Sequence, residues 1–152
     1  MRTLTACATA VLILAACHPS AIDMTSVQFD REDAAGTLTV MASGTGRNGR
    51  QAVDAACVNA FRALLYDGIP GSQYHLPLIN RAFGPTSGRH PYLERFDTPA
   101  GCKPFLTSSE RIRRAVRPPG AKGAYALVRL RIHVAALRRE LEHQQVIRSF
   151  GL

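Results

Sequence analysis

Five arginines in the second half of the chain form the pattern with the most evident chemistry. They fall on two segments in which arginines alternate with other residues, so they would line one face of two neighbouring β-strands: Arg111, Arg113, Arg117, Arg129 and Arg131. A guanidinium group is planar and binds phosphate or carboxylate through two parallel hydrogen bonds. The pattern therefore predicts an anion-binding face. The alternative is a solvated face on which acids such as Glu94, Asp97 or Glu110 neutralise the arginines.

Residues that could carry catalysis or bind a metal are scattered. No paired-cysteine motif is present. The histidines of the chain body share no metal-binding spacing; they are His75, His90, His133 and His143. Ser72 and Ser87 lack the G-x-S-x-G sequence of a nucleophile elbow. We therefore expect no enzyme activity, no metal and no cofactor. The alternative is a site in the segment 72–106, where His75 or His90 could meet Asp97.

A glycine-rich sequence follows the first clear strand pattern. Gly44, Gly46 and Gly49 fit G-x-G-x-x-G between a predicted strand and a predicted helix, which is the context of a dinucleotide-binding loop. No second parallel strand follows the helix promptly, and Asp67 lies in a predicted turn rather than at the end of such a strand. We therefore predict that these glycines supply positive φ angles to a strand-to-helix connection.

Two cysteines lie in the body of the chain, Cys57 and Cys102. In an exported protein they could form a disulfide that closes a loop of about 45 residues and adds on the order of 4 kcal/mol in the chain-entropy treatment. Cys57 also falls on the apolar side of a predicted helix, where a free cysteine behaves as a small hydrophobic residue. The sequence leaves both forms open.

The hydrophobic periodicity defines the elements that must position these residues. It predicts strands at 27–29, 37–43, 110–117 and 124–134, main helices at about 50–66 and 135–146, a short helix near 90–96, and a charged turn at 30–36. The apolar faces of the strands and of both main helices require the same partner. We therefore predict an α+β fold: a two-layer sandwich with a small mixed or antiparallel sheet of three or four strands and two main helices on one face.

Composition limits the class of protein. The chain has 152 residues, of which 46% are hydrophobic and 20% charged, so it is long enough for one folded domain and unlike a disordered chain. The net charge of +8 is compatible with an anionic partner. Nucleic acid is not expected, because aromatic residues are not interleaved with the basic ones.

The first residues read as an export signal. A positive start at Arg2 precedes an apolar stretch, 4–16, that is too short to span a bilayer. It ends in Leu14-Ala15-Ala16-Cys17, which resembles the lipobox of bacterial lipoproteins. The resemblance implies cleavage after Ala16 and a diacylglycerol on Cys17, and the alternative is an ordinary secretory signal with a chance cysteine. The organisation would be a signal peptide at 1–16, a lipidated tether at 17–26, and one α/β domain at 27–152 with an irregular insertion at 72–106.

The same resemblance suggests a location. In lipoproteins of this type an aspartate after the lipidated cysteine favours the inner membrane, and His18 stands there instead. The implied address is the outer membrane, with the domain facing the periplasm. The segments 39–70 and 135–152 also resemble small envelope lipoproteins, and more distantly the α/β domain of flagellar-assembly lipoproteins. This family implies no catalytic residues.

Together these features predict a membrane-anchored envelope lipoprotein with a structural, assembly or interaction role and an envelope protein as partner. The first alternative is a binder of phospholipid or lipopolysaccharide phosphates through the arginine-rich face. The second is a periplasmic enzyme with a site in the 72–106 insertion.

Overall fold

The computed structural model describes residues 26–33, 36–79, 90–113 and 123–147. Its four strands form one antiparallel sheet in the order β1-β2-β4-β3. The strands are β1 (Val27–Asp33), β2 (Thr37–Gly46), β3 (Leu106–Arg113) and β4 (Ala124–His133). The helices are α1 (Gly49–Arg62), α2 (Pro99–Cys102) and α3 (Val134–His143), with a π-helical turn at Ala63–Asp67 and 3-10 turns at Pro91–Asp97 and Lys103–Phe105.

The predicted α+β class is confirmed, with the helices packed against one face of the sheet. Strand β4 shows why the pattern was readable: its alternate residues are Ala126, Val128, Leu130 and Ile132, and all four are buried in the core. Leu137 and Leu141 of α3 belong to the same core, together with the buried face of α1. We call the sheet face with Leu127, Arg129 and Arg131, opposite the helices, the outer face.

Helix α1 begins at a well-formed N-terminus and lies close to the sheet. The side chain of Asn48 accepts a hydrogen bond from the Gln51 amide (2.9 Å), which satisfies one free amide of the first turn. The side chain of Gln51 accepts one from the amide of Arg47, just before the helix (3.0 Å). Ala52 and Ala56 are fully buried. Their small side chains let the helix backbone approach β2.

One polar side chain of α1 faces the sheet rather than solvent. Asn59 is half-buried on α1. Its side-chain amide donates a hydrogen bond to the main-chain carbonyl of Ser43 in β2 (3.0 Å), which ties the helix to the strand. An asparagine can occupy such a half-buried position because the hydrogen bond offsets the loss of hydration.

An aromatic cluster joins α1 to the helical turns that precede β3. The ring of Phe96 stacks on Phe61 of α1 at 5.8 Å, and Phe105 lies against Phe96 at 5.8 Å. Tyr92 meets Phe96 edge-on at 5.9 Å. The second half of the predicted irregular insertion therefore forms an ordered cover for the helix side of the core.

The strands differ in extent from the prediction. Strand β2 runs to Gly46, three residues beyond the predicted 37–43. Strand β1 continues to Asp33, through residues predicted as a charged turn, because a bulge at Asp30 lets it stay paired with β2. Strand β3 begins at Leu106, four residues before the predicted 110–117, and the described part ends at Arg113. In β1 and β3, pairing with a neighbouring strand outweighs the polar composition of the segment.

Candidate functional site

The outer face carries the centre of the predicted arginine cluster. Arg129 donates a hydrogen bond from Nε to Asp30 of β1 at 3.1 Å and from Nη1 to Glu110 of β3 at 3.2 Å. Arg131 forms an ion pair with Asp33 of β1. Both arginines therefore reach across β2 to acids on the edge strand, and Arg129 also pairs with its direct neighbour on β3.

These contacts neutralise the two arginines within the fold. Glu110 was one of the acids expected to do this, whereas Asp97 pairs with Arg62 at 3.0 Å and Glu94 is exposed on the turn Pro91–Asp97. Asp30 and Asp33 were not predicted, because the segment was interpreted as a turn. The order of the strands brings these two acids to Arg129 and Arg131, and local periodicity gives no signal of it.

The remaining predicted arginines are not all on the outer face. Arg111 pairs in register with Val128, whose side chain is in the core, so Arg111 leaves the sheet on the helix side. Its guanidinium donates to the Gly49 carbonyl at 3.2 Å. A bulge between Arg111 and Arg113 breaks the strict alternation and explains why the prediction for Arg111 is wrong. Arg113 pairs with Leu127 of the outer face, and Arg117 lies outside the described residues.

The outer face also holds polar atoms that the described residues leave without a partner. The hydroxyl of Thr39 and the Nε of Arg131, which are opposite each other in the β2–β4 register, are both buried and make no hydrogen bond in the described part of the chain. The hydroxyl of Tyr125 is also buried and has no hydrogen-bond partner among the described residues. The face therefore combines internal ion pairs with unused hydrogen-bonding capacity.

Three of the described groups considered for catalysis have separate structural contacts and do not meet in one site. Nδ1 of His90 accepts a hydrogen bond from the Tyr92 amide at 3.3 Å and begins the 3-10 turn, while Asp97 is engaged by Arg62. Ser72 donates to the Ile69 carbonyl at 2.8 Å. His75 is exposed, and Ser87 lies outside the described residues. Within those residues no group of three or more His, Cys, Asp or Glu could hold a metal ion.

The glycine sequence has a packing explanation. Gly44 and Gly46 face α1, and a Cβ atom on either would overlap main-chain atoms of the helix. None of Gly44, Gly46 and Gly49 has a positive φ angle, so the predicted conformational reason is wrong. The two strand glycines are required because the helix backbone lies so close to β2.

Cys57 and Cys102 are both buried and both free thiols in the structure. Burial raises the pKa of Cys57 from 9.0 to about 11, and the carboxylate of Asp54 contributes to the increase. Burial also raises the pKa of Cys102 from 9.0 to about 12, with a further contribution from Cys57. At neutral pH neither sulfur is a nucleophile in the folded protein.

Cys17 and the apolar stretch before it lie outside the described residues. Among the helices that the structure describes, none is both long enough and apolar enough to cross a bilayer. No protein-family model, curated protein or solved structure matches this chain.

Proposed function

We propose that this chain is a lipid-anchored protein of the bacterial outer membrane, facing the periplasm, with a structural, assembly or interaction role. The observation that carries the proposal is the tetrad Leu14-Ala15-Ala16-Cys17 at the end of a short apolar stretch with a positive start. The acyl chains of a diacylglycerol would hold Cys17 at the bilayer, since each buried CH₂ contributes about 0.8 kcal/mol. The segment 18–26 would allow the domain to sit up to about 30 Å from that point.

An interaction role is supported by the way in which the reactive groups are used. Among the described residues considered for catalysis, His90, Ser72 and Asp97 are engaged in a cap, a turn and an ion pair. The outer face offers paired charges of both signs. A protein surface with complementary charges of both signs suits such a face better than a ligand of a single charge sign.

The proposed anchor is tested by replacing the cysteine that would carry it. The full-length chain is produced in a bacterial host with labelled fatty acid, and the products are analysed by intact-mass measurement and membrane fractionation. Wild type should begin at Cys17, carry fatty acid and fractionate with membranes. Cys17→Ser should lose the label and retain residues 1–16, because the lipid-dependent cleavage has no substrate.

Cys7→Ser is the matched control, since it removes a thiol from the same stretch but leaves the tetrad intact. It should behave like wild type. A wild-type product that keeps residues 4–16, or an exported product without fatty acid, would contradict the proposed anchor.

Anion binding is the second candidate, and one observation favours it. Arg111 is exposed, its only described polar contact is with the neutral Gly49 carbonyl, and it lies beside the N-terminus of α1, where the first turn contains no acid. Phospholipid or lipopolysaccharide phosphates would be the ligands in this location. Arg129 and Arg131 contribute less than the sequence indicated, because their own carboxylates compete with the ligand.

Substitutions at Arg111 and, as the control, at Arg62 test this candidate. Detergent-solubilised protein is titrated with short-chain phosphatidylglycerol, and with short-chain phosphatidylcholine as the uncharged comparison. Arg111→Ser should weaken binding of the anionic lipid several-fold, whereas Arg62→Ser, which removes an exposed arginine from another part of the surface, should not. Equal binding of the two lipids by the wild-type protein would remove this candidate.

A further inference from the structure

Cys57 and Cys102 lie at the same interface, between α1 and the helical turns that precede β3. Cys57 is one helical turn before Phe61, so the two side chains share a face of α1. Phe61 stacks on Phe96, and the thiol of Cys102 donates to the Phe96 carbonyl at 3.6 Å. Helices α1 and α2, which carry the two cysteines, pack directly against each other.

We propose that Cys57 and Cys102 form an intramolecular disulfide while the exported chain folds. The structure described here is the reduced form, with two free thiols. The proposal rests on export, as in the proposed function, because the periplasm is an oxidising compartment. The bond would tie α1 to the segment that carries α2. This is a modification site that joins two elements whose contacts include aromatic packing and a surface ion pair.

The oxidant is a protein or small-molecule disulfide. One cysteine thiolate attacks a sulfur of that disulfide, which releases one oxidant thiol and leaves a mixed disulfide. The second cysteine then attacks the protein sulfur of the mixed disulfide, which releases the second oxidant thiol and forms the Cys57–Cys102 bond. The protein loses two protons and two electrons, and the oxidant is reduced from a disulfide to two thiols.

The order of events follows from burial. Cys57 is 6% exposed and Cys102 is fully buried, so neither sulfur can reach an external disulfide once the core has formed. Their high pKa values also keep the thiolate fraction small at neutral pH. Exchange therefore takes place in the unfolded or partly folded chain, and a chain that folds under reducing conditions retains two protected thiols.

The bond is tested on the full exported chain. Envelope protein is extracted in detergent and denaturant with an alkylating reagent, then digested and analysed by mass spectrometry with and without reductant. We expect one linked peptide pair containing Cys57 and Cys102, with both cysteines alkylated only after reduction. Alkylation of both cysteines without reductant, or bonds to a second chain, would overturn the proposal.

Folding order is tested with reduced protein and oxidised glutathione. The bond should form during refolding from denaturant and should form many-fold more slowly when the same oxidant is added to folded protein. Equal rates would refute formation during folding. The peptide containing Cys17 is measured in the digest of the exported chain. A linked Cys57–Cys102 pair beside an unlipidated Cys17 would overturn the anchor but not the disulfide. A lipidated Cys17 beside unlinked Cys57 and Cys102 would overturn the disulfide but not the anchor.

Discussion

Gly44→Ala is the substitution that most directly tests how α1 lies on the sheet. A Cβ atom at Gly44 would overlap the amide nitrogen of Ala56 and the carbonyl oxygen of Ala52, and would lie 2.9 Å from the carbonyl carbon of Ala55. All three are main-chain atoms of a hydrogen-bonded helix. No side-chain rotation can relieve the overlap, so α1 or β2 must shift.

The expected destabilisation can be estimated from the packing that such a shift would disturb. One added methyl group in a well-packed core typically costs about 1–3 kcal/mol. The upper end applies here, because the overlap is with backbone and because Ala52, Ala56 and Ala60 are all fully buried against the sheet. With about 4 °C in Tm for each kcal/mol at this domain size, Gly44→Ala should lower Tm by about 12 °C.

Thermal unfolding followed by circular dichroism measures the effect, and Gly49→Ala provides the matched control. A Cβ atom at Gly49 would meet only the guanidinium of Arg111, at an ordinary 3.7 Å, and alanine is favoured over glycine in a helix by up to about 1 kcal/mol. The control should therefore keep or slightly raise Tm. If Gly44→Ala left Tm within about 2 °C of wild type, the close approach of α1 to β2 would be refuted.

Three further predictions concern titration and charge. Reduced protein should lose stability as pH rises above 9.0, because unfolding releases Cys57 and Cys102 from the burial that raises their pKa values. The free energy of unfolding should fall by about 1.4 kcal/mol per pH unit for each thiol, until the pH passes the pKa of that thiol in the folded state. Urea titrations measure this loss, which should be absent in a variant with both cysteines replaced by serine. Tyr92→Phe should raise the pKa of Glu140 toward its ordinary 4.5, since the Tyr92 hydroxyl hydrogen bond is the main cause of its lowered pKa, and carboxyl NMR titration would show this; an unchanged pKa would contradict it. Arg129→Gln should destabilise the fold by less than about 1 kcal/mol in urea unfolding, because its ion pairs are partly exposed, and a loss above about 2 kcal/mol would contradict that assignment.

Most of the architecture could be predicted because burial imposes a regular pattern. Strand β4 alternates without interruption from Ala126 to His133, and the two main helices carry apolar residues at spacings of three and four. The register of the edge strands could not be predicted in the same way. Bulges at Asp30 and between Arg111 and Arg113 shift side chains from one face to the other, and bulges depend on the partner strand rather than on the local sequence.

The candidate site was only partly predictable, both in its residues and in its charge. The sequence predicts that Arg129 and Arg131 share a face, and the structure confirms that placement. The neutralising Asp30 and Asp33 are 98 or 99 positions away in the chain, so only the order of the strands brings them near the arginines. Long-range pairing of this kind leaves no trace in local periodicity.

The ion pairs of the outer face bear on what this surface can bind. A phosphate that approaches Arg129 must compete with Asp30 and Glu110, which already accept its hydrogen bonds and repel a second anion. A protein surface with both acidic and basic groups can offer a new partner to each arginine and to each carboxylate of these ion pairs. Neither charge is then left unpaired when the partner binds. We therefore propose a protein surface with charges of both signs as the better match for the outer face, and the neighbourhood of Arg111 as the place for an anionic lipid headgroup.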